Sequence, residues 1–134
     1  MKTLRIDHIG IALKSITESL NFWENTLTIK CQGVEEVADQ KVKTAFFPLD
    51  NCEVELLEGT SSESPVSKFI ERRGEGIHHI SLEVEDLESA LAELKGREVK
   101  LIDESPRYGA GGTKIAFIHP SATGGVLLEL MERE

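Results

Sequence analysis

Positive charge is scarce in this chain: 15 Lys and Arg stand against 24 Asp and Glu, for a formal net charge of -9. A balance this acidic argues against nucleic acid and against an anionic membrane surface, both of which reward clustered Lys and Arg. Long apolar runs are missing too. No stretch approaches the roughly 20 residues that a membrane helix needs. The opening MKTLRIDHIG has neither the continuous apolar region nor the small-residue cleavage site of a secretory signal. Cysteine occurs only at Cys31 and Cys52. Two thiols are no disulfide framework for a chain of this size, and free thiols in a reducing cytoplasm are the expectation. What is present, 40% hydrophobic residues in 134, suffices for one compact domain or two very small modules sharing a core.

Self-similarity argues for the second. IDHIGIAL, from Ile6, reappears as IHHISLEV, from Ile77. In that register His8 meets His79, Ile9 meets Ile80, Ile11 meets Leu82 and Leu13 meets Val84. Both stretches alternate as strands do, and both lead into an amphipathic helix. In the first, Ile16, Leu20, Trp23 and Leu27 fall on one face; in the second, Leu87, Ala90, Leu91 and Leu94 do. Ser15 and Asp86 are the expected N-caps, and Glu18 gives the first helix a capping-box pattern. Three strand-like runs follow each helix, near residues 29–37, 43–48 and 52–58, and near 99–104, 114–119 and 125–132. The connecting segment 59–76 opens as polar loop and continues as a short helix over Pro65 to Arg73, with proline near its first turn. The order strand-helix-strand-strand-strand, written twice, predicts a duplicated α+β domain with modules at about 4–58 and 75–132 joined by a helical linker.

Duplication predicts paired functional residues. VELLE at Val54 to Glu58 aligns with LELME at Leu128 to Glu132, so Glu55 meets Glu129. Residues two apart on a strand share a face. His8 then shares its face with Ile6 and Gly10, and Glu129 with Leu127 and Met131. A carboxylate on an apolar face neutralises, pairs or binds a metal. Two imidazoles and two carboxylates offer an N2O2 set suited to Co, Mn, Ni, Fe or Zn, with positions left open for a substrate. Taken singly, each of these residues has an ordinary structural explanation; their occurrence in equivalent places is what favours ligation. His79 rather than its neighbour His78 is the counterpart of His8, and His78 faces the other way. His119, beside Pro120, reads as a loop or strand-end residue, and Cys52 as a packed thiol.

With these residues the chain resembles the vicinal oxygen chelate superfamily, the glyoxalase fold, whose paired βαβββ modules make a cupped mixed sheet around a metal. The segments IDHIGIAL, SPVSKFIERRGEGIHHISLEVEDLESAL, LIDESPRYGAGGTKIAFIHP and TGGVLLELME resemble the methylmalonyl-CoA epimerase family in particular. The first segment marks only the superfamily; SPVSKFIERRGEGIHH and the succession from GAGG through HP to GGVLLEL are much more specific to the epimerases.

That resemblance implies one divalent metal, cobalt favoured among Co, Mn, Ni, Zn and Mg, on His8, Glu55, His79 and Glu129. It implies inversion at C2 of methylmalonyl-CoA through a metal-stabilised enolate, with Glu129 and Glu55 as acid/base groups, in a cytoplasmic homodimer. Two departures stand out. Thr44 occupies the position where some members carry a glutamate proposed as a base, and the turn His119-Pro120-Ser121-Ala122 lacks the lysine of the usual pattern. An anionic CoA needs a local basic patch, for which Lys68, Arg72, Arg73, Arg107 and Lys114 are available, and the loop Gly109 to Gly112 could bring backbone close to the acyl or pantetheine portion. Lys68 and Gly112 are the expected substrate contacts. A glyoxalase I-type lyase and a non-catalytic drug-binding protein of the same fold are the alternatives.

Overall fold

The computed structural model describes residues 1–133. Its elements are β1 (Thr3–Ala12), α1 (Ile16–Leu20), β2 (Gly33–Val37), β3 (Val42–Pro48), β4 (Glu53–Gly59), α2 (Pro65–Arg73), β5 (Gly76–Val84), α3 (Leu87–Gly96), β6 (Arg107–Tyr108), β7 (Lys114–Ile118) and β8 (Leu128–Glu132). The order is the duplicated βαβββ that the repeat predicts, with α2 between the copies. The hydrogen-bonded strand order is β2-β3-β4-β1-β5-β8-β7-β6. The sheet is mixed: β1 runs parallel to β4 and β5 parallel to β8, while the other pairs within each module are antiparallel. Two compact units divide the chain, one spanning His8–His78, the other combining Met1–Asp7 with the chain from His79 onward. Strand β1 therefore contributes to both.

In the His8–His78 unit, Ser15 caps α1 by accepting from the Glu18 amide at 3.2 Å, and Glu58 Oε1 accepts from the Ile16 amide at 2.8 Å. These acceptors meet donors that have no partner inside the first helical turn. One sheet face packs under α1: Ile16, Ala45, Phe47 and Leu56 are buried, with Leu20 and Trp23 against them. On the other face, Val66 of α2 joins Ala12, Val42 and Leu57. Removing a side chain such as Phe47 or Leu56 from water contributes about 1.5–3 kcal/mol each. The predicted helix differs from the observed one at its end. From Asn21 to Thr26 the chain widens into a π-helical turn, in which the Leu27 amide donates to the Phe22 carbonyl at 2.8 Å. The extra residue in that turn rotates Leu27 off the buried face, and it is 43% exposed.

The other unit repeats the plan. Asp86 caps α3 by accepting from the Ser89 amide at 3.1 Å, and Glu132 Oε1 accepts from the Leu87 amide at 2.7 Å. Leu87, Ala90 and Leu91 are buried against Val84, Ala116, Ile118 and Leu130, as the helical spacing predicts. On the opposite face Ile115, Phe117 and Met131 form a separate cluster. The strand expected at 99–104 does not form as one. Leu101 makes an isolated bridge to Ile118, and the two-residue β6 comes later. The reason is chemical: the Asp103 carboxylate accepts from the Phe117 amide at 2.8 Å, so a side chain takes the donor a strand carbonyl would have used. Pro106 then contributes no amide. Among the described residues no helix is long and apolar enough to cross a membrane.

Candidate metal centre and active site

In each unit one sheet face is taken by the covering helix, and the predicted ligands lie on the other. In the His8–His78 unit, Gly10 of β1 stands opposite Glu55 of β4, and Phe46 of β3 stands opposite Glu55 from the other side. His8, two residues from Gly10, shares that face. Its Nδ1 is 3.5 Å from Glu55 Oε2, and both residues are buried. In the other unit Ser81 of β5 stands opposite Glu129 of β8, flanked by Phe117 of β7. His79 Nε2 is 3.9 Å from Glu129 Oε2, again with both residues buried. The Phe117 ring meets the His79 imidazole edge-on at 5.6 Å.

These spacings test the fit to a metal. Two donors each about 2.0–2.2 Å from one ion can be no more than about 4.4 Å apart. Both imidazole–carboxylate pairs meet that limit, and each supplies one nitrogen and one oxygen to a cation of intermediate hardness. The donor chemistry therefore fits a divalent ion.

Sequence reasoning missed four supporting residues. Ser81 Oγ donates to Glu129 Oε1 at 2.7 Å, fixing that carboxylate. Its signal was in the repeat, because Ser81 aligns with Gly10, two residues after the aligned histidines. Glu58 and Glu132, each three residues after Glu55 or Glu129, point to the opposite face and hold the helix N-termini described above. Asp7, beside His8 and buried, accepts from Arg133 Nη2 at 2.7 Å and from Arg5 at 3.2 Å.

The remaining expected residues lie as follows. His78 faces away from His79's side of β5 and packs edge-on against Phe69 of α2 at 5.0 Å, where burial lowers its pKa from 6.5 to about 4. His119 Nδ1 accepts from the Ser121 amide at 3.0 Å and caps the short turn Pro120–Ala122. Cys31 and Cys52 are free and half-buried. Lys68, Arg72 and Arg73 are exposed on α2. Gly112 is exposed at a φ of 71°, a left-handed backbone that suits glycine. Arg107 pairs with Asp103 at 3.2 Å and lies over the Phe117 ring, while Lys114 is 4.0 Å from Glu132, so both cations already have carboxylate partners.

The fold defines the class. Residues 7–117 match the family model of the Glyoxalase/Bleomycin resistance protein/Dioxygenase superfamily. An uncharacterised protein of Bacillus subtilis is 46% identical over 96% of this chain and 91% of its own length. The mitochondrial methylmalonyl-CoA epimerase of Dictyostelium discoideum is 34% identical over 96% of this chain and 78% of the relative. A solved methylmalonyl-CoA epimerase, in complex with methylmalonyl-CoA and NH4+, superposes with a TM-score of 0.93 at 31% identity, covering 98% of this chain and 95% of that one. This chain belongs to the methylmalonyl-CoA epimerase family, and it has the glyoxalase fold.

Proposed function

We propose that this protein epimerises methylmalonyl-CoA at C2, with one divalent ion held by His8, Glu55, His79 and Glu129. The observation that carries the reading is the buried imidazole–carboxylate pair in each unit, at repeat-equivalent positions of a chain whose relatives include epimerases. Of the four, His8, His79 and Glu129 make a donor group that could bind a metal. The ion would supply Lewis acidity at the thioester oxygen and one carboxylate oxygen, where negative charge grows as C2 loses its proton. Cobalt is favoured by the family resemblance; Mn, Ni, Zn and Mg are the alternatives.

The rest falls to the chain's own groups. The C2 proton is acidic because it lies between a thioester and a carboxylate. Inversion removes it from one face of C2 and returns a proton to the other, so two acid/base groups are needed. Glu55 and Glu129 are those groups, with equal chemistry on equivalent strands. Their burial keeps bulk water from competing for the proton. Lys68 contacts the CoA portion and the backbone at Gly112 the acyl or pantetheine portion, and the protein works as a cytoplasmic homodimer.

The deciding experiment pairs two assays on purified protein. One follows racemic methylmalonyl-CoA by polarimetry or a coupled mutase; the other offers a glutathione hemithioacetal. Turnover of the first with bound divalent metal is the expected result. Turnover of the second alone would assign a glyoxalase I-type lyase, and no metal with no turnover would assign a sequestering protein.

A further inference from the structure

Glu55 and Glu129 face different residues across their parallel strand pairs. Glu129 takes a 2.7 Å hydrogen bond from Ser81, the residue directly opposite it on β5. The equivalent position opposite Glu55 is Gly10, which has no side chain to offer. On the other side of Glu55 lies β3, where Phe46 is opposite Glu55 and Thr44 is opposite Leu57. Thr44 is therefore diagonal to Glu55 on the same face. Its hydroxyl is buried, and among the described residues it is the one buried side-chain polar atom without a hydrogen-bond partner.

An orphan hydroxyl is costly, because burial removes its water without giving a replacement. The hydroxyl is shut off from solvent. Its neighbours on that face of β3 and β4 are Val42, Phe46, Leu57, Gly59 and Glu55. Glu35, opposite Thr44 on edge strand β2, is exposed. Glu55 is the buried acceptor within reach, since diagonal side-chain positions about 7 Å apart are spanned by a long side chain.

We infer that Thr44 is a positioning residue that receives the Glu55 carboxylate when it turns from His8 toward β3 to exchange a proton at C2. This rests on the epimerase reading above. As the C2–H bond breaks, its electron pair stays on the substrate as an enolate and its proton passes to one Glu55 oxygen. The Thr44 hydroxyl donates to the other oxygen and fixes the carboxylate's direction. Glu129, protonated at that stage, returns a proton to the opposite face. The two acids then exchange with water or run the next turnover in reverse. Threonine at this position thus supplies a donor where a carboxylate would supply a second base.

The test compares Thr44→Val, Thr44→Ser and Glu35→Gln in the metal-loaded enzyme, with thermal unfolding of the metal-free forms beside it. Thr44→Val is expected to leave Tm unchanged or raised, since the resting hydroxyl makes no bond. Its kcat should fall about 10- to 100-fold with KM nearly constant. Solvent deuterium exchange should be lost for one enantiomer of the substrate only. Thr44→Ser should restore kcat, and Glu35→Gln should leave it at the wild-type value. Thr44→Val with wild-type kcat, or with a lowered Tm, overturns the inference. An inactive wild type counts against the epimerase reading instead, so the two failures are distinct.

Discussion

The His8–His78 unit and the unit built from His79 onward carry the same imidazole–carboxylate pair on equivalent strands, yet each surrounds it differently. Around Glu129 there is a hydroxyl from Ser81 and, beside its histidine, the edge of Phe117. Around Glu55 there is Gly10 on one side and a silent Thr44 hydroxyl beyond Phe46 on the other. The helix caps diverge as well, Ser15 in one unit and the ionisable Asp86 in the other. Duplication has kept the donors and let their neighbours drift. Two acids of equal intrinsic strength can take unequal tasks once their surroundings differ.

Replacing each acid in turn breaks the comparison most severely. Glu129→Gln and Glu55→Gln should each lower epimerisation by about 10²–10⁴-fold. A variant that still exchanges one enantiomer's C2 proton with deuterium would show two separate bases, whereas wild-type rates in both would remove them from the mechanism. Core truncation asks whether the units stand or fall as one. Phe47→Ala and Leu91→Ala should cost about 3–5 and 2–5 kcal/mol, read from urea unfolding. Coincident transitions by tryptophan fluorescence, which reports Trp23, and by circular dichroism would show a single cooperative structure. Ser81→Ala makes the Glu129 side resemble the Glu55 side, and should weaken metal affinity about 10- to 100-fold by titration. Unchanged affinity would mean the serine bond tunes something other than the ligand.

The smallest expected effect concerns pH. His78 has a pKa of about 4 in the folded chain against its ordinary 6.5, because burial disfavours the charged ring. The unfolded chain therefore takes up the proton first. Its contribution is complete above about pH 6.5, declines as the pH falls toward about 4, and is lost below that. His78→Gln should flatten the urea midpoint across that window. Asp86 titrates lower still: the Ser89 amide, then its hydroxyl, hold the carboxyl below its ordinary range. That cap persists above the ordinary carboxylate range and is lost as pH falls through the lowered value, a loss that Ser15 in α1 does not share. Amide exchange at Ser89 and Glu18 compares the two directly.

Much of the architecture was legible because period and repetition are strong signals. The alternation of IDHIGIAL and IHHISLEV located β1 and β5, and the spacing of Leu87, Ala90 and Leu91 located the buried face of α3. The pairing of His8 with Glu55 and of His79 with Glu129 follows from the same register. What escaped depends on local departures from regularity. A helical wheel assumes 3.6 residues per turn, and the π turn after Leu20 defeats it at Leu27. A strand pattern at 99–104 does not reveal that the Asp103 side chain will occupy the ladder. Ser81 and Thr44 look like ordinary strand residues until the register sets one against Glu129 and the other diagonal to Glu55.

Strand β1 has a further consequence. Asp7 reaches its partner Arg133 across 126 residues of chain. On a ribosome Asp7 is synthesised roughly 6–25 seconds before that arginine, at about 5–20 residues per second. During that interval Arg5 and Asp7 have left the exit tunnel, while the chain from His79 onward that completes their unit is still being synthesised. The nascent protein can assemble His8–His78 early, whereas Asp7 meets Arg133 only once the chain from His79 onward has been made.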